Sequence, residues 1–519
     1  MNWIKTSARR NHYLFLAPDR LFLHYKKYTT MKKNIRNFLF NNITNRQTFT
    51  KNAFWLAIGN IGGRLVRAAI IIYAARVLGA AGWGVFSYGI TLVAFLTIFG
   101  DIGIDAILTR ESAKAKEDQQ RRNQILSTAL FIKLFLLTAG VLAVLFIAPL
   151  LAMLPGVRPL LPLMAVILVF DTLRNFGFSI IRSREKMEFE AGLYLLTNLA
   201  IVSCGFLFLY LHPTVNSFTI SYAVGTGIGL LATLYALKHE VPKALFHFSR
   251  SLVKEILGSA WPFAISGVLG LLMLNTDIVI IGWFQSAEKV GFYSAAVRII
   301  QLLYIFAGVA AQSSLPIFSR FVKGEPGRIK NALENMLKFG FSFSLPMALG
   351  GIIAGGSLIQ LIFGSEYLPA TRSFQILILT LGFNFVAVIL SNVIFVYNRQ
   401  KALTLYAGIG GILNVGLDLL LIPKFGINGS AMATLASQIV ADSYLWFIAW
   451  RIVRFNPYLK LQKIILGSIF SSLGLLLLLN VGVPIIVAAI AAVAIYLGSL
   501  HLLKEPILKE AKAILRTEQ

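Results

Sequence analysis

Five basic residues lie deep inside long apolar segments of the chain, where a charged side chain needs water or a partner. Arg64 and Arg67 are three residues apart and share one face of the first segment, and Arg298 lies inside the eighth. Lys133 and Arg174 lie in the third and fourth segments. A charge at the centre of a bilayer costs roughly 2.5–3.5 kcal/mol even on a lenient insertion scale. These residues therefore predict either a hydrated central cavity that binds an anion or ion pairs with carboxylates of other helices.

Acidic, amide and hydroxyl side chains predict a second kind of chemistry in the other half of the chain. Asn414 and Asp418 are four residues apart and share one helical face. Ser430 and Thr434 are likewise four apart on the next segment, and Asp277 lies in the seventh. Together they offer only hard oxygen ligands, which suit Na⁺ or a proton relay better than a transition metal. Hydrogen bonding between neighbouring helices is the alternative interpretation of each residue.

Fourteen apolar runs position these residues, and each is long enough to cross a hydrocarbon core of about 30 Å as a helix. The runs lie near 53–75, 82–104, 124–147, 160–181, 189–211, 215–237, 257–284, 289–312, 333–363, 373–396, 402–423, 429–450, 464–480 and 483–502. Lysine and arginine concentrate in the N-terminal tail, in every second connection and in the C-terminal tail. Since cytoplasmic loops retain basic residues, we expect an all-α, multi-pass protein of the cell inner membrane with both termini in the cytoplasm.

The composition excludes a soluble protein, because 57% of the 519 residues are hydrophobic, 13% are charged and the mean hydropathy is +0.74. The net charge of +26 is spread over short loops facing membrane lipids, so we expect no nucleic-acid partner. No connection is long enough to form a separate catalytic domain, and no phosphate-binding Gly-x-x-x-x-Gly-Lys-Ser/Thr stretch occurs. The sequence therefore predicts a protein whose function lies within its helices.

An internal repeat predicts how the helices are arranged. The segment that begins at Gly84 (Gly-Val-Phe-Ser-Tyr-Gly) resembles the one that begins at Gly291 (Gly-Phe-Tyr-Ser-Ala-Ala). Six runs separate them, so both halves enter the membrane from the same side as parallel repeats. The predicted division is a basic N-terminal tail at 1–50 (with 1–30 as an upstream extension), a six-helix lobe at 51–238, a linker at 239–256, a second six-helix lobe at 257–455, two further helices at 456–503 and a tail at 504–519.

Several motifs, in order, resemble those of a known family. Ala-Arg-Val-Leu-Gly-Ala-Ala-Gly-Trp-Gly at 75–84, Gly-Asp-Ile-Gly at 100–103 and Val-Gly-Phe-Tyr at 290–293 are similar to motifs of bacterial polysaccharide exporters. The segment 414–431, with Ile-Pro-Lys-Phe-Gly-Ile-Asn-Gly near its end, resembles the hairpin of helices 11 and 12 in that family. These exporters are oligosaccharide flippases of the superfamily that also contains multidrug and toxin extruders and peptidoglycan-precursor flippases.

The resemblance implies two six-helix lobes around a cationic central cavity, two extra helices and alternating access. It implies a polyprenyl-diphosphate-linked oligosaccharide as the substrate. Guanidinium groups bind a diphosphate bidentately, so Arg64, Arg67, Arg174 and Arg298 fit the substrate that the resemblance implies. Lys133 is grouped with them as a candidate substrate-binding residue. In the peptidoglycan-precursor branch a first-helix arginine matches Arg67, and a Na⁺ site matches Asp277, Asn414, Asp418, Ser430 and Thr434.

The leading hypothesis is thus a flippase in cell-surface polysaccharide biosynthesis (O-antigen or exopolysaccharide), with no enzymatic activity and no cofactor. We expect coupling to Na⁺ or H⁺, a monomer, and contact with the polymerase or ligase machinery that receives the glycan. A membrane-embedded polymerase or ligase is disfavoured by the short loops. The remaining alternative is a cation-coupled multidrug antiporter of the same superfamily, which we expect to carry more acids than arginines in its first lobe.

Overall fold

A computed structural model of the protein describes residues 45–97, 102–115, 117–240, 246–322 and 326–505, and helices form most of these ranges. The helices are α1 (Asn45–Thr97), α2 (Ile104–Lys114), α3 (Gln119–Leu142), α4 (Ala148–Leu151), α5 (Leu161–Ser183), α6 (Met187–Leu211), α7 (Val215–Ala236), α8 (Arg250–Phe284), α9 (Ala287–Phe321), α10 (Pro326–Phe363), α11 (Thr371–Leu377), α12 (Thr380–Val396), α13 (Gln400–Val453), α14 (Tyr458–Asn480) and α15 (Ile485–Leu502). A π-helical turn, Ala143–Ile147, joins α3 to α4, and short 3₁₀ segments form Arg158–Leu160 and Ser365–Ala370. No β-strand occurs in the described ranges. The predicted extension at 1–30 and the tail beyond 505 lie outside them.

The helices confirm an all-α, multi-pass membrane protein. Within the described ranges, eleven helices are long and apolar enough to cross a bilayer. A twelfth span is obtained if Ser365–Leu377 and Thr380–Val396, which are bent by 42° at their junction, count as one. The predicted total of fourteen stays a prediction.

Two of the long helices, α1 and α13, are each interrupted by a glycine with a non-helical backbone. Gly79 has φ 67° and ψ 175°, and Gly426 has φ 56° and ψ −138°. A positive φ strains any residue with a Cβ, so glycine is the residue suited to these breaks. Both glycines lie in connections predicted between spans, and in each helix two helical segments meet at the break.

The buried hydrophobic residues form one cluster that both halves share and separate clusters in each half. The shared cluster contains Trp83 and Phe218 of the first half together with Tyr293 and Phe374 of the second, near the helix ends predicted to face outward. Toward the predicted cytoplasmic ends, Ile107, Ile125 and Ile180 belong to a first-half cluster, which the beginning of α8 joins. A cluster that includes Phe318, Leu337 and Val393 forms the corresponding core of the second half. The two halves therefore pack most extensively at their predicted outer ends.

A reciprocal contact between glycines joins the two repeats at this end. A Cβ atom added to Gly84 would overlap the carbonyl oxygen of Ala287, and one added to Gly291 would overlap the carbonyl oxygen of Ala80. Gly84 and Gly291 are 207 residues apart, and so are Ala80 and Ala287. Because each half makes the same contact to the other, the arrangement is that of two parallel repeats around a local two-fold axis. We call these four residues the reciprocal glycine contact.

The last two helices pack against the second half of the chain. The Tyr496 hydroxyl of α15 donates a hydrogen bond to the Ser342 carbonyl of α10 at 2.8 Å. Lys338 of α10 forms a buried ion pair with Glu505, just beyond α15. Helices α14 and α15 thus extend the second lobe.

Candidate functional site

A cavity of about 580 Å³ lies where the two halves meet, and helices from both line it. Its polar lining consists of Arg64, Arg67, Tyr194, Asp277, Tyr293, Arg298, Gln301, Tyr304, Asn384, Thr434, Ser437 and Gln438. Three of the five basic residues predicted for a central cavity are therefore brought together there. Asp277 and Thr434 of the predicted cation site line the same cavity.

Neutral side chains hold two of the three arginines in place. The Arg67 Nε donates to Asn198 Oδ1 at 2.7 Å, and its guanidinium lies over the ring of Tyr222, 5.5 Å from the centroid. Arg298 donates to Gln301 Oε1 at 3.0 Å, one turn further along the same helix. Arg64 is exposed. Amide oxygens orient a guanidinium without neutralising its charge, so the positive charge remains available to a ligand.

The cavity carries an excess of positive charge at the arginines. No ion pair joins Arg64, Arg67 or Arg298 to a carboxylate among the described residues. Arg67 and Arg298 are close enough to repel each other electrostatically. Like charges in a partly desolvated cavity are stabilised by water or by an anion, and a phosphate group matches a guanidinium bidentately. The arrangement is therefore suited to bind a multiply charged anion.

The five oxygen-bearing residues predicted as a cation site also come together. The Thr434 hydroxyl lies 2.8 Å from Asp277 Oδ2 and 3.0 Å from the Ser430 carbonyl oxygen. Asn414 Nδ2 lies 3.5 Å from Thr434 Oγ1. Asp418 interacts electrostatically with Asp277, and its side chain is fully buried. The i,i+4 spacings on α13 and the break at Gly426 bring these groups together.

Unsatisfied oxygens show that this cluster suits a small cation. Oδ1 of Asp277 and Oδ1 of Asn414 are buried and lack a hydrogen-bond partner in the described part of the chain, and the buried carboxylate of Asp418 faces Asp277 and Ser430. Two neighbouring buried carboxylates repel each other unless a proton or a metal ion lies between them. Carboxylate, amide and hydroxyl oxygens are the ligands preferred by hard cations. The residues thus fit Na⁺ or a shared proton.

Lys133 and Arg174 differ from the prediction, because neither lines the central cavity. The Lys133 ammonium lies 2.9 Å from Asp105 Oδ1, and Arg174 lies 2.9 Å from Asp171 Oδ1, one turn earlier on α5. Both pairs lie in the first lobe, beside a separate pocket of about 340 Å³. A carboxylate within reach satisfies a buried cation, so these two residues follow the ion-pair alternative.

Hydrogen bonds between the halves reinforce the reciprocal glycine contact. Arg76 donates to the carbonyl oxygens of Leu361 and Ile362 at the end of α10, the latter at 2.8 Å. The Ala80 N–H donates to Glu366 Oε1 at 2.7 Å, and the Tyr367 hydroxyl donates to the Ala75 carbonyl oxygen at 2.8 Å. Cationic groups near a helix C-terminus bind its free carbonyls favourably. The predicted outer side of the cavity is therefore closed by direct contacts between the halves.

Several residues of the site gave no separate signal in the sequence. The Tyr293 hydroxyl donates to Asp277 Oδ2, so it joins the five residues predicted as a cation site (hereafter the cation cluster), although the sequence marked it only as part of the repeat. Asn198, Tyr222 and Gln301 contact the arginines and had no recognisable spacing. Asp442 is buried on α13, where its carboxylate faces the hydroxyl of Tyr406.

Comparisons with known proteins agree with this architecture. A family model described as "Polysaccharide biosynthesis protein" matches residues 49–322, and the MatE model matches residues 262–420. A putative O-antigen transporter of Shigella flexneri is 23% identical over 406 residues, which cover 76% of this chain and 96% of that protein. A probable low-salt glycan biosynthesis flippase of Haloferax volcanii, Agl15, is 24% identical over 75% of this chain and 80% of its own length. Among solved structures, the lipid II flippase MurJ in an inward closed conformation is 17% identical, with a TM-score of 0.73 over 87% of this chain and 99% of that one.

Proposed function

Because the chain belongs to the polysaccharide biosynthesis protein family, we propose that it is a flippase for a polyprenyl-diphosphate-linked oligosaccharide. In this proposal it carries the lipid-linked glycan from the cytoplasmic to the outer leaflet of the cell inner membrane, with both of its own termini in the cytoplasm. The observation that carries the proposal is the cluster of Arg64, Arg67 and Arg298 in one cavity without a carboxylate partner among the described residues.

The diphosphate is the part of such a substrate that most resists crossing the bilayer. Its charges cannot enter hydrocarbon unless they are neutralised. Arg67 and Arg298 line the cavity from opposite halves of the chain, on α1 and α9. Their guanidinium groups contact neutral amides and form no ion pair among the described residues. The diphosphate bridges the two lobes, while the polyprenyl chain remains in the lipid and the glycan occupies the aqueous part of the cavity.

Alternating access requires that one end of the cavity opens while the other closes. The reciprocal glycine contact and the hydrogen bonds of Arg76 and Glu366 close the predicted outer end. Toward the predicted cytoplasmic end, the hydrophobic residues belong to two clusters, and the beginning of α8 is the part of the second half that joins the first-half cluster. In the proposed cycle the outer contacts separate after the lipid-linked glycan has bound, and the glycan leaves on that side.

Coupling to Na⁺ or H⁺ supplies the direction of transport in this proposal. Asp277 and Thr434 reach both the cation cluster and the central cavity, so the charge state of the cluster acts on the arginines electrostatically. Na⁺ would be held by oxygens of Asp277, Asn414, Asp418, Ser430 and Thr434 and would neutralise the two carboxylates. The chain then needs no catalytic centre, and we propose that it is not an enzyme. A polymerase or ligase takes over the glycan after it crosses.

The match of residues 262–420 to the MatE model keeps multidrug antiport as a second candidate. A cationic drug requires acids in the cavity, but the described lining holds three arginines and one acid, Asp277. In the first lobe the buried Arg174 pairs with Asp171 and Lys133 pairs with Asp105. The cavity arginines repel a cation. These observations favour the flippase.

Reconstitution into vesicles tests the proposal. The protein should move a fluorescent polyprenyl-diphosphate sugar between leaflets without altering it chemically, and Arg298→Ala should lower the rate at least tenfold because one bidentate contact to phosphate is lost. Arg158→Ala is a matched control, since Arg158 is exposed and lies outside the cavity. Efflux of an organic cation without lipid transfer would establish the antiporter instead, and equal rates for the two variants would refute the role of the arginine cavity.

A further inference from the structure

The first lobe contains a polar pocket that the proposed diphosphate site does not use. It has a volume of about 340 Å³ and lies between α1, α2, α3, α5 and α7. Asp105, Lys133, Asp171, Asn175 and Tyr222 supply its polar wall. Polar and charged side chains inside a membrane-spanning helical bundle cost free energy unless water, a partner or a ligand satisfies them.

Among the described residues, each of the two cations beside the pocket forms an ion pair with one carboxylate, and the two pairs are oriented alike. In each ion pair the cation is buried while the carboxylate is more accessible: Lys133 is 1% exposed against 15% for Asp105, and Arg174 is 5% exposed against 37% for Asp171. The cations therefore lie deeper in the helical bundle than the carboxylates, whose orientation they fix and whose charge they neutralise. The surface offered to a ligand consists of fixed oxygen acceptors.

An exposed amide and a phenol complete this surface. Asn175 lies one turn after Asp171 on α5, and its side chain is exposed at the pocket. An amide both donates and accepts hydrogen bonds, as does the hydroxyl of Tyr222. Neutralised carboxylates attract neither a free cation nor an anion strongly, but they accept hydrogen bonds well. A neutral ligand with several hydroxyl groups, such as a sugar, matches this set of groups.

The pocket adjoins the arginine site. Tyr222 lines the pocket, and its ring also lies under the guanidinium of Arg67, with 5.5 Å between the guanidinium carbon and the ring centroid. Asp171 is also close enough to act electrostatically on Arg67. A phosphate bound at Arg67 therefore lies next to the mouth of the pocket. The volume is at the small end of the roughly 300–1,000 Å³ found for ligand pockets, which suits one sugar unit rather than a whole oligosaccharide.

We infer that this pocket binds the sugar unit attached directly to the diphosphate of the lipid-linked substrate. The inference rests on the proposed function, since it places the first sugar beside the diphosphate site. It assigns Asn175 and Asp171 to sugar hydroxyls and leaves the phosphates to the arginines. Recognition of the first sugar would then be separate from recognition of the lipid carrier.

Binding of two kinds of probe to the full-length protein in detergent tests the inference. One probe is polyprenyl diphosphate without sugar, and the other is a panel of the same lipid carrying glucose, galactose, N-acetylglucosamine or N-acetylgalactosamine. The wild-type protein should bind at least one sugar-bearing lipid more tightly than the bare lipid. Asn175→Ala should weaken that complex about 3- to 10-fold, as expected for the loss of a neutral hydrogen bond, and leave the affinity for the bare lipid unchanged.

Two further variants make the result decisive. Asn175→Leu should fill the pocket and remove the remaining preference for sugar, while Asn480→Ala, an exposed asparagine at the end of α14, should change neither affinity. The inference is overturned if no sugar in the panel adds affinity, or if the added affinity survives in both Asn175 variants. In those cases retained binding of the bare lipid would leave the proposed function intact. A wild-type protein that binds neither probe would overturn both.

Discussion

Replacing Gly291 with alanine tests whether the reciprocal glycine contact holds the outer ends of the lobes together. The new Cβ would overlap the carbonyl oxygen of Ala80 and lie 3.2 Å from the Ala80 Cα. Both neighbouring atoms belong to the backbone, so neither can move aside by changing a rotamer. The two lobes must therefore separate locally if the methyl group is to fit.

The size of the effect follows from the cost of overpacking, which is typically about 1–3 kcal/mol. Alanine also favours a helix over glycine by roughly 1 kcal/mol, but this gain is present whether the lobes touch or not. Only the overlap with Ala80 differs between the state in which the outer ends touch and the state in which they are separated. The equilibrium should therefore shift toward the state with separated outer ends by about 5- to 150-fold.

Distances between spin labels on the two lobes measure this shift directly. Labels at His212→Cys and Leu368→Cys, with Cys204 replaced by alanine, report on exposed positions at the outer ends of the first and second lobes. Gly291→Ala should add or enlarge a population with a longer distance. Gly308→Ala, on the same helix but with no heavy atom within 4 Å of its added Cβ, should leave the distribution unchanged. An unaltered distribution in Gly291→Ala, or an equal change in Gly308→Ala, would refute the reasoning.

Three further predictions concern the outer contacts, the cation cluster and the packing of the first lobe. Glu366→Ala removes the acceptor for the Ala80 N–H and should shift the same spin-label distances toward separation by about tenfold, and unchanged distances would contradict this role. Asp418→Asn should abolish stabilisation by Na⁺ in thermal unfolding, whereas Asp442→Asn should retain it; equal Na⁺ responses would exclude the assignment. Gly225→Ala places a Cβ 2.6 Å from the backbone of α6 and should lower the unfolding temperature, while Gly192→Ala, with open space around it, should not.

The charged residues of the central cavity were predictable because the membrane makes them costly. Arg64, Arg67 and Arg298 stand out against apolar runs, so their positions indicate either a hydrated site or ion pairs with other helices. The cation cluster was predictable for a related reason, since helical spacing places Asn414 and Asp418 on one face. The structure adds that Asp277 and Thr434 of the predicted cation site line the same cavity as the arginines.

The partners of buried charges were much harder to predict. Arg174 and Asp171 are three residues apart, so their pairing was visible as an alternative in the sequence. Lys133 pairs with Asp105, which lies on a different helix, and no local pattern indicates that contact. Without it, Lys133 could not be separated from the cavity arginines.

Hydrogen bonds between residues far apart in the chain could not be predicted from the sequence either. Asn198 accepts from Arg67 across 131 residues of chain, and Glu366 accepts from Ala80 across 286. Such pairs depend on how distant helices pack. The spacing of residues in a single sequence indicates only which residues share a face of one helix, so it does not predict them. Tyr293 shows an intermediate case, because the repeat marked its position and only the fold revealed its bond to Asp277.

The reciprocal contact of Gly84 and Gly291 also bears on the history of the chain. A half-length ancestor carrying one such glycine would form both contacts at once by self-association around a two-fold axis, and every substitution in it would have counted twice. Fusion of two such copies into one chain would end that constraint. The second copy could then gather the carboxylates that suit a cation at 277 and 418 without the same change in the first copy, while arginines of both copies, Arg67 and Arg298, line the shared cavity.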